Sequence, residues 1–301
     1  MKRHRVLFFA GKDDHDHNLN AVWSLDLATH VWSEVPVTGP APAPSEDHTA
    51  IVDPVGDRFI IFGGEDGLPT AKTWALDLAP PRWHDLTTPD APPREDHTAV
   101  YDSRRRRMIV YGGRDTLKRL PDDVWAFDLD PRSKRFERWA QITTTGPGPG
   151  GRSDHVAAYD STHNRMVVFG GYDRGTRESL DDTWALELPD SPDSAARWRQ
   201  VNTKRSHPPK RRHAVSALDA ADGALLIMGG LGDEGFLNDV WALDLARLTW
   251  INVTPGPMPR LDHHGVWDPV ARQMVVYGGD AHLGSKFHDL WGVEFRPDAP
   301  L

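Results

Sequence analysis

The sequence predicts an all-β protein, a propeller assembled from small sheets, and three observations lead to this fold class. An apolar strand that ends in a pair of small residues recurs six times, and a strand in which Trp precedes an acidic residue follows each pair after a gap. A second Trp follows in five of these copies. The copies are about 50 residues apart, a period typical of propellers. The small pairs are Ala10-Gly11, Gly63-Gly64, Gly112-Gly113, Gly170-Gly171, Gly229-Gly230 and Gly278-Gly279.

Each copy divides into four strand types, which we name A to D in their order within the repeat. Strand A is predicted at His48–Val52, His97–Tyr101, His155–Tyr159, His213–Ala217 and His264–Trp267, and each closes near an Asp that suits a turn. Continuous apolar runs such as Phe59–Phe62 predict strand B, covered on both faces. The small pair ends each B strand.

Tryptophans mark the other two strand types. Because these rings recur at matched positions, we predict that they pack between neighbouring sheets. Trp267 lies outside the pattern, on an A strand, and is interpreted as an irregular core residue. Strand C carries Trp23, Trp74, Trp125, Trp184, Trp241 and Trp291, and strand D carries Trp32, Trp83, Trp139, Trp198 and Trp250.

The motif formed by the hydrophobic strand, Gly-Gly, a spacer, Asp-Val-Trp or Asp-Thr-Trp, an acidic residue and a second Trp resembles that of kelch-repeat proteins. The resemblance covers essentially the whole chain and implies a six-bladed propeller with strand A innermost, of a bacterial type. We expect one domain, residues 1–301, because the repeat runs through the whole chain. Its repeats are predicted at roughly 1–44, 45–93, 94–151, 152–209, 210–259 and 260–301.

The first blade is expected to lack its inner strand. The chain begins inside a B strand, since Arg5–Gly11 matches Arg107–Gly113 position for position, and it ends just after a C strand. The sequence thus contains six B and six C strands but five A and five D strands. Three explanations remain open: a true start further upstream, a ring that closes without this strand, or an irregular pairing of the tail. A missing strand would leave an edge that needs protection.

Composition limits the classes of partner. A net charge of −9 without a long basic stripe argues against nucleic acid and against an anionic membrane surface. Arg104 to Arg107 are the exception, and their place in a hairpin predicts a solvated turn. The absence of cysteine removes disulfides, thiolate nucleophiles and cysteine-ligated metals. No apolar run is long enough to span a bilayer and the start is too short for a signal peptide, so a cytoplasmic protein is expected.

One face of the propeller is predicted to gather most of the ionisable side chains. Strands A and B are antiparallel neighbours, so the residues before each A strand meet those that follow each small pair. Kelch repeats commonly carry Arg, two residues and then His before strand A. This resemblance implies that His48, His97, His155, His213 and His263 are structural.

The residue before this His is often Gly in kelch repeats, whereas here it is ionisable and can point into the mouth of the central pocket. Clustered carboxylates repel one another unless a cation, an amine or arginines offset their charge. A self-satisfied Arg/Asp network is the alternative to a ligand site. The predicted ligand-binding residues are Asp47, Asp96, Asp154, Arg212 and Asp262, with Arg94, Arg152 and Arg260.

A divalent metal ion is a further hypothesis for the same face. The segment Asp13–His17 mixes carboxylate and imidazole groups, which suits Zn, Fe or Mn, whereas carboxylates alone favour Ca or Mg. An acidic loop that contains His is also typical of a solvated turn. The candidate metal ligands are Asp14, His15, His17, His264 and His282.

These features predict a module that binds a small molecule or a protein partner at the Asp/His/Arg-rich face around the central axis. The alternative is a metal-dependent enzyme of lyase, isomerase or cyclase type with a divalent ion in the same pocket. A third hypothesis is an interaction domain that uses its outer edges or the Arg104 to Arg107 loop.

Two catalytic groups with related folds do not match this sequence. Copper-radical oxidases on kelch-like propellers need a cysteine cross-linked to tyrosine, so no copper-radical cofactor is expected in a chain without cysteine. The plant specifier proteins use Glu, Asp and His at a spacing of four residues. Here Leu186 stands where the His would follow Glu178 and Asp182.

Overall fold

The computed structural model describes residues 4–13, 15, 17–191, 194–203, 206–281 and 285–295, and their regular secondary structure consists of β-strands. The strands fall into two compact units, residues 1–142 and 143–301, which are described separately below. Among the described residues, no helix has the length and apolar character needed to cross a bilayer.

Unit 1 contains three antiparallel sheets. Their strand orders are β1-β2-β3, β4-β5-β6-β7 and β8-β9-β10-β11. The strands are β1 (Arg5–Phe9), β2 (Val22–Asp26), β3 (Trp32–Glu34), β4 (Glu46–Asp53), β5 (Arg58–Glu65), β6 (Thr73–Leu78), β7 (Pro81–Asp85), β8 (Thr98–Asp102), β9 (Arg107–Tyr111), β10 (Val124–Asp128) and β11 (Trp139–Ile142).

Unit 2 also contains three large sheets, together with two short hairpins, β15-β16 and β21-β22. The sheet orders are β13-β14-β17-β18, with β12 added parallel to β18, then β19-β20-β23-β24 and β25-β26-β27. The strands are β12 (Thr144–Thr145), β13 (Val156–Asp160), β14 (Arg165–Phe169), β15 (Tyr172–Asp173), β16 (Glu178–Ser179), β17 (Thr183–Glu187), β18 (Ala196–Val201), β19 (Val215–Asp219), β20 (Ala224–Met228), β21 (Leu231–Gly232), β22 (Gly235–Phe236), β23 (Asp239–Asp244), β24 (Thr249–Pro255), β25 (His264–Asp268), β26 (Gln273–Tyr277) and β27 (Leu290–Glu294).

The six large sheets correspond to the six predicted blades. Within the described ranges, β1 is the first strand of its sheet and has the position of strand B, so the predicted lack of an inner strand is confirmed there. The type A strands of neighbouring sheets lie side by side in each unit: β4 contacts β8 in unit 1, and β19 contacts both β13 and β25 in unit 2. This agrees with an innermost position for strand A.

The core of each unit lies between neighbouring sheets. All residues of β14 and β20 are buried, as expected for strands covered on both faces. The indole of Trp139 donates to Thr73 Oγ1 at 3.0 Å, and that of Trp250 donates to Thr183 Oγ1 at 3.1 Å, so each ring reaches the preceding sheet. Trp267 packs against the core of unit 2 as interpreted. The packing prediction is wrong for Trp23, on the middle strand β2, and for Trp291, on the edge strand β27, because these residues are 40% and 46% exposed.

The turns between strands A and B are built on buried aspartates. Asp53 and Asp102 accept backbone N–H bonds from the residues that follow them, which confirms the predicted turn chemistry. The basic hairpin differs from the predicted solvated turn. Arg105 and Arg107 bond Asp102 at 3.0 and 2.9 Å, and Arg106 lies 3.5 Å from Asp53. Buried carboxylates that need partners explain why arginines cluster there.

Candidate functional site

Five residues at the start of the type A strands share an unusual backbone conformation. Their φ angles lie between 53° and 57°, in the left-handed region that non-glycine residues rarely adopt. In unit 1 the N–H of Asp96 donates to the carbonyl of Asp47 at 3.2 Å, and in unit 2 the N–H of His213 donates to that of Asp154 at 3.0 Å. We call this set the corner residues; its members are Asp47, Asp96, Asp154, His213 and Asp262.

The structure corrects the alignment of the fifth repeat by one residue. His213, and not Arg212, has the left-handed φ of the corner position. Arg211 is the buried arginine that stands two residues before it, as Arg152 stands before Asp154. The guanidinium of Arg212 instead donates to Ser179 Oγ at 3.0 Å and lies over the ring of Tyr172. Two adjacent arginines before a His made the alternatives indistinguishable in sequence.

The predicted arginines are held inside their own sheets. Arg152 is 1% exposed, and its guanidinium donates to the Gly170 carbonyl at 2.9 Å and to both carboxylate oxygens of Asp182. The indole of Trp184 donates to Asp182 as well, at 2.7 Å. Such bidentate bonds between charged groups fix geometry strongly. The equivalent Arg-Asp-Trp sets are Arg94-Asp123-Trp125, Arg211-Asp239-Trp241 and Arg260-Asp289-Trp291.

The aspartates of these sets were missed as partners in the sequence analysis, although the signal was present. In four repeats an Asp stands two residues before the Trp of strand C, and an Arg stands two residues before the corner residue. The β4–β7 sheet lacks both, with Ser45 and Lys72 in their places. Loss of the two members together in one repeat indicates that they form a pair.

The histidines that follow the corner residues are structural where the structure describes their contacts. His97 is buried, and its Nε2 lies 2.7 Å from Thr49 Oγ1 of the neighbouring strand β4. Burial, reinforced by the charge of Arg94, lowers the pKa of His97 to about 3, so the ring is neutral. His263 resembles it, because burial and Arg260 lower its pKa to about 3.

Near its corner residues, unit 1 has a row of carboxylates that lie at the start of β4, at the end of β5 and just before β8. Lys12 Nζ lies 2.5 Å from Glu46 Oε1, and Glu46 is paired with Glu65 across β4 and β5. The next carboxylate is that of Glu95, which lies 3.2 Å from Lys118 Nζ and 3.3 Å from Arg114 Nε. Arg114 also pairs with the corner residue Asp96.

In unit 2 the corner residues form a charged clamp. Nδ1 of His213 lies 2.8 Å from Asp262 Oδ1 and 3.4 Å from Asp154 Oδ1. Burial alone would lower the pKa of His213, but the hydrogen bond to Asp262 and the charges of both aspartates raise it overall. Asp154 also accepts a bond from Ser153 Oγ at 2.7 Å, whereas Asp262 is exposed to solvent.

Of the predicted metal ligands that the structure describes, His15 and His17 lie in unit 1 with their ring centroids 6.1 Å apart, and His264 lies in unit 2. Asp14 and His282 lie outside the described ranges. His15 and His17 are exposed on one loop, where His17 Nδ1 lies 3.2 Å from Asp13 Oδ2, and His264 begins β25 in unit 2. In the described part of the chain, a different group, Glu46, Asp47 and Glu65, places three ligand atoms within 4.8 Å of one another.

Comparison with known proteins identifies one repeat family. The family model described as the KLHDC2/KLHL20/DRC7 Kelch-repeats domain matches the chain at residues 1–136, 52–255 and 132–297. Adagio-like protein 1 of Oryza sativa subsp. japonica is 32% identical over 54% of this chain and 25% of its own length. Kelch domain-containing protein 3 of Bos taurus is 27% identical over 78% of this chain and 62% of its own length.

A third relative is a far longer protein than this chain. The alpha chain of the flagellar outer arm dynein of Chlamydomonas reinhardtii is 29% identical over 53% of this chain, but the match spans 4% of that protein. The chain therefore spans less than two thirds of the length of each of these three relatives. All three come from eukaryotes, so the expected bacterial type stays a prediction.

Proposed function

We propose that this chain, which belongs to the kelch-repeat family of β-propellers, is a protein-binding module that recognises a basic segment of its partner through the corner residues. Kelch propellers generally mediate protein interactions. The observation that carries the proposal is the recurrence of ionisable side chains on left-handed backbone at the start of the type A strands.

The backbone conformation makes this recurrence informative. A non-glycine residue in a sparsely populated region costs on the order of 1–3 kcal/mol, and such strain concentrates at ligand sites and switches. Glycine avoids the cost and is used at Gly64 and Gly171, although ten other described non-glycine residues also have positive φ. The corner residues differ from those ten in recurring at equivalent places of five repeats. Asp tolerates the region better than most residues. An ionisable side chain at five equivalent places therefore supports a role for the side chain itself.

The charge of the corner residues in each unit supports a basic partner. Asp47 in unit 1 and Asp262 in unit 2 are exposed, and the chain carries a net charge of −9. Lysine and arginine side chains complement exposed carboxylates and give the encounter its speed and specificity. The buried guanidinium groups of Arg94, Arg152 and Arg260 then hold the ends of their own sheets in place.

The hypothesis of docking through the Arg104 to Arg107 loop has less support. Arg105, Arg106 and Arg107 are paired with aspartates of their own unit, which reduces the charge they offer to a partner. The metal-dependent enzyme alternative and the small-molecule ligand stay predictions.

A peptide-display experiment tests the proposal. A random-peptide library is selected against the full chain, and the selected peptides are measured against two variants, Asp47→Asn with Asp96→Asn and Asp154→Asn with Asp262→Asn. Asn keeps the size and the tolerance for left-handed backbone but removes the charge. We expect selected peptides rich in Lys and Arg, and binding weakened about tenfold by at least one variant, equivalent to about 1.4 kcal/mol.

The matched control removes two carboxylates elsewhere. Glu34 on β3 and Asp90 after β7 are both exposed, so the variant Glu34→Gln with Asp90→Asn has the same net charge as each corner variant. We expect it to bind the peptides like the unchanged chain. Peptides without basic residues, or peptides that bind both corner variants as tightly as the control, would contradict the proposal.

A further inference from the structure

We propose that Glu46, Asp47 and Glu65 of unit 1, with Glu95 behind them, form a binding site for a divalent cation of the Ca²⁺ type. The site uses a metal ligand set that the sequence analysis did not single out. The inference goes beyond partner binding and does not depend on it, although Asp47 belongs to both sites.

The spacing of the oxygens fits one ion. The three ligand atoms of Glu46, Asp47 and Glu65 lie within 4.8 Å of one another. Ca²⁺ binds oxygen at 2.3–2.6 Å, so two oxygens on the same ion are at most about 5.2 Å apart. A single ion between the three carboxylates satisfies both limits. An all-oxygen set selects hard cations such as Ca²⁺, Mg²⁺ or Mn²⁺ over Zn²⁺ and Cu²⁺.

The local fold explains why these carboxylates meet. Glu46 near the start of β4 is directly opposite Glu65 at the end of β5. Successive residues of a regular strand point to opposite faces, which would separate Glu46 from Asp47. The left-handed φ of 54° at Asp47 breaks that alternation, and the two neighbouring carboxylates reach the same point.

Glu95 supplies an independent reason for a cation. Its side chain is 1% exposed, and its Oε2 receives no hydrogen bond from any described residue. The charge of its carboxyl group acts on that of Glu65, so Glu95 belongs to the same cluster. A buried carboxylate oxygen without a donor is costly unless a cation or a proton compensates it.

The described ion pairs of the nearby cationic side chains lie at the two ends of the row. Lys12 pairs with Glu46, and Arg114 and Lys118 pair with Glu95. Glu65 lies between these ion pairs and faces the like charge of Glu95. A hydrogen bond to Glu95, burial and the charge of Glu95 raise the pKa of Glu65, and the charges of Lys118 and Arg114 offset this rise only in part.

Competition with Lys12 limits the affinity that we expect for the cation. Its ammonium group is 2.5 Å from Glu46 Oε1, so an incoming ion competes with it for one ligand. Three carboxylates, one of them shared, indicate a weak site with a Kd of about 0.1–1 mM. The variant Lys12→Met releases Glu46 and is expected to tighten binding about twofold to fivefold.

Calorimetric titration of CaCl₂ into the full chain, purified in chelator and then desalted, tests the proposal at neutral pH. We expect one ion per chain and a rise in melting temperature with Ca²⁺ concentration. Glu65→Gln keeps the shape of the side chain and should weaken binding at least about tenfold, because the number of charged ligands sets affinity. Glu34→Gln removes one exposed charge on β3 and should leave binding unchanged.

Two outcomes overturn the proposal. One is the absence of heat and of a melting shift with Ca²⁺, Mg²⁺ and Mn²⁺ well above the expected Kd. The other is Ca²⁺ binding that Glu65→Gln leaves intact. Circular dichroism verifies that each variant is folded, and peptide binding measured in chelator separates this test from that of the partner-binding proposal.

Discussion

His213 has the left-handed φ of a corner residue and lies between two aspartates. Its protonation is therefore expected to make the stability of the protein depend on pH. Its left-handed φ of 55° places the ring between the carboxylates of Asp154 and Asp262. In the other four corner positions an aspartate occupies this place. A histidine there turns a repulsive arrangement of acidic groups into an attractive one when the ring is protonated. The clamp therefore holds best in slightly acidic solution.

The stability given by His213 should decline as pH rises. Because the folded-state pKa is raised above the ordinary value of about 6.5, the contribution is complete below that value and is lost as pH rises through the folded pKa. We expect His213→Asn to lower the free energy of unfolding by about 1–3 kcal/mol at pH 5.5, and by clearly less at pH 8.5. Urea unfolding at the two pH values measures this difference.

An exposed histidine provides the control. His84 Nε2 lies 2.7 Å from Asp77 Oδ2, and both side chains are well exposed, so the pair should contribute little at either pH. His84→Asn is expected to change the unfolding free energy by less than about 1 kcal/mol throughout. If the effect of His213→Asn stays constant between the two pH values, the clamp does not depend on the protonated ring.

At the scale of the elements, strand identity follows from sequence but register at the sheet ends does not. Apolar runs such as Met166–Phe169 and the turn aspartates locate the strands correctly, because burial on both faces leaves few residue choices. The predicted alignment of the fifth repeat is wrong because Arg211 and Arg212 are equivalent in sequence, and they are distinguished by burial, by their partners and by the φ of His213.

The candidate site was predictable to a similar extent. Four of the corner residues were named from their position before a His. Their geometry was not predictable, since it depends on a backbone angle that Asp and Gly can both adopt. The grouping of Glu65 with Glu46 and Glu95 was not predicted either, because it combines a cross-strand pair with an interaction between neighbouring sheets. Residue type and spacing do not specify such contacts.

In the five sheets that have a type A strand, the second glycine of the small pair is required by a close approach of two strands. In β13–β14, a Cβ on Gly171 would lie 2.6 Å from the Ser153 carbonyl and 2.7 Å from His155 Cβ, and its φ is +101°. Gly223 also has positive φ, +64°, but has open space where a Cβ would be. A side chain at Gly223 would therefore meet only the cost of the left-handed backbone, whereas one at Gly171 would also meet the clash.

We expect Gly223→Ala to cost about 1–2 kcal/mol, the price of a left-handed non-glycine residue. Gly171→Ala should cost about 1–3 kcal/mol more, since the strand must move away from the Ser153 carbonyl. Urea unfolding of both variants gives the comparison. Equal costs would mean that the sheet end adapts to a side chain and that glycine is used there for its backbone angle alone.

At the scale of the whole molecule, the repeated Arg-Asp-Trp sets tie stability to pH. Each set places a buried arginine against a carboxylate at the end of a sheet, and the sets occur in both units. Burial alone would raise the pKa of Asp239, but the hydrogen bond and charge of Arg211 lower it overall. The hydrogen bond from Arg260 lowers the pKa of Asp289 in the same way.

Acid should therefore destabilise the protein steeply. A depressed folded-state pKa gives stability that is complete above the ordinary Asp value of about 4 and is lost as pH falls through the folded value. Each such Asp adds up to about 1.4 kcal/mol per pH unit to the slope of the unfolding free energy.

We expect Asp239→Asn to flatten the slope below about pH 4 by part of this amount, besides lowering stability at neutral pH by leaving Arg211 unpaired. Urea unfolding as a function of pH measures the slope, and Asp90→Asn, at an exposed loop position, serves as control. Parallel curves for the unchanged chain and Asp239→Asn would show that Asp239 is protonated equally in the folded and unfolded states, so that its pairing with Arg211 contributes nothing to acid sensitivity.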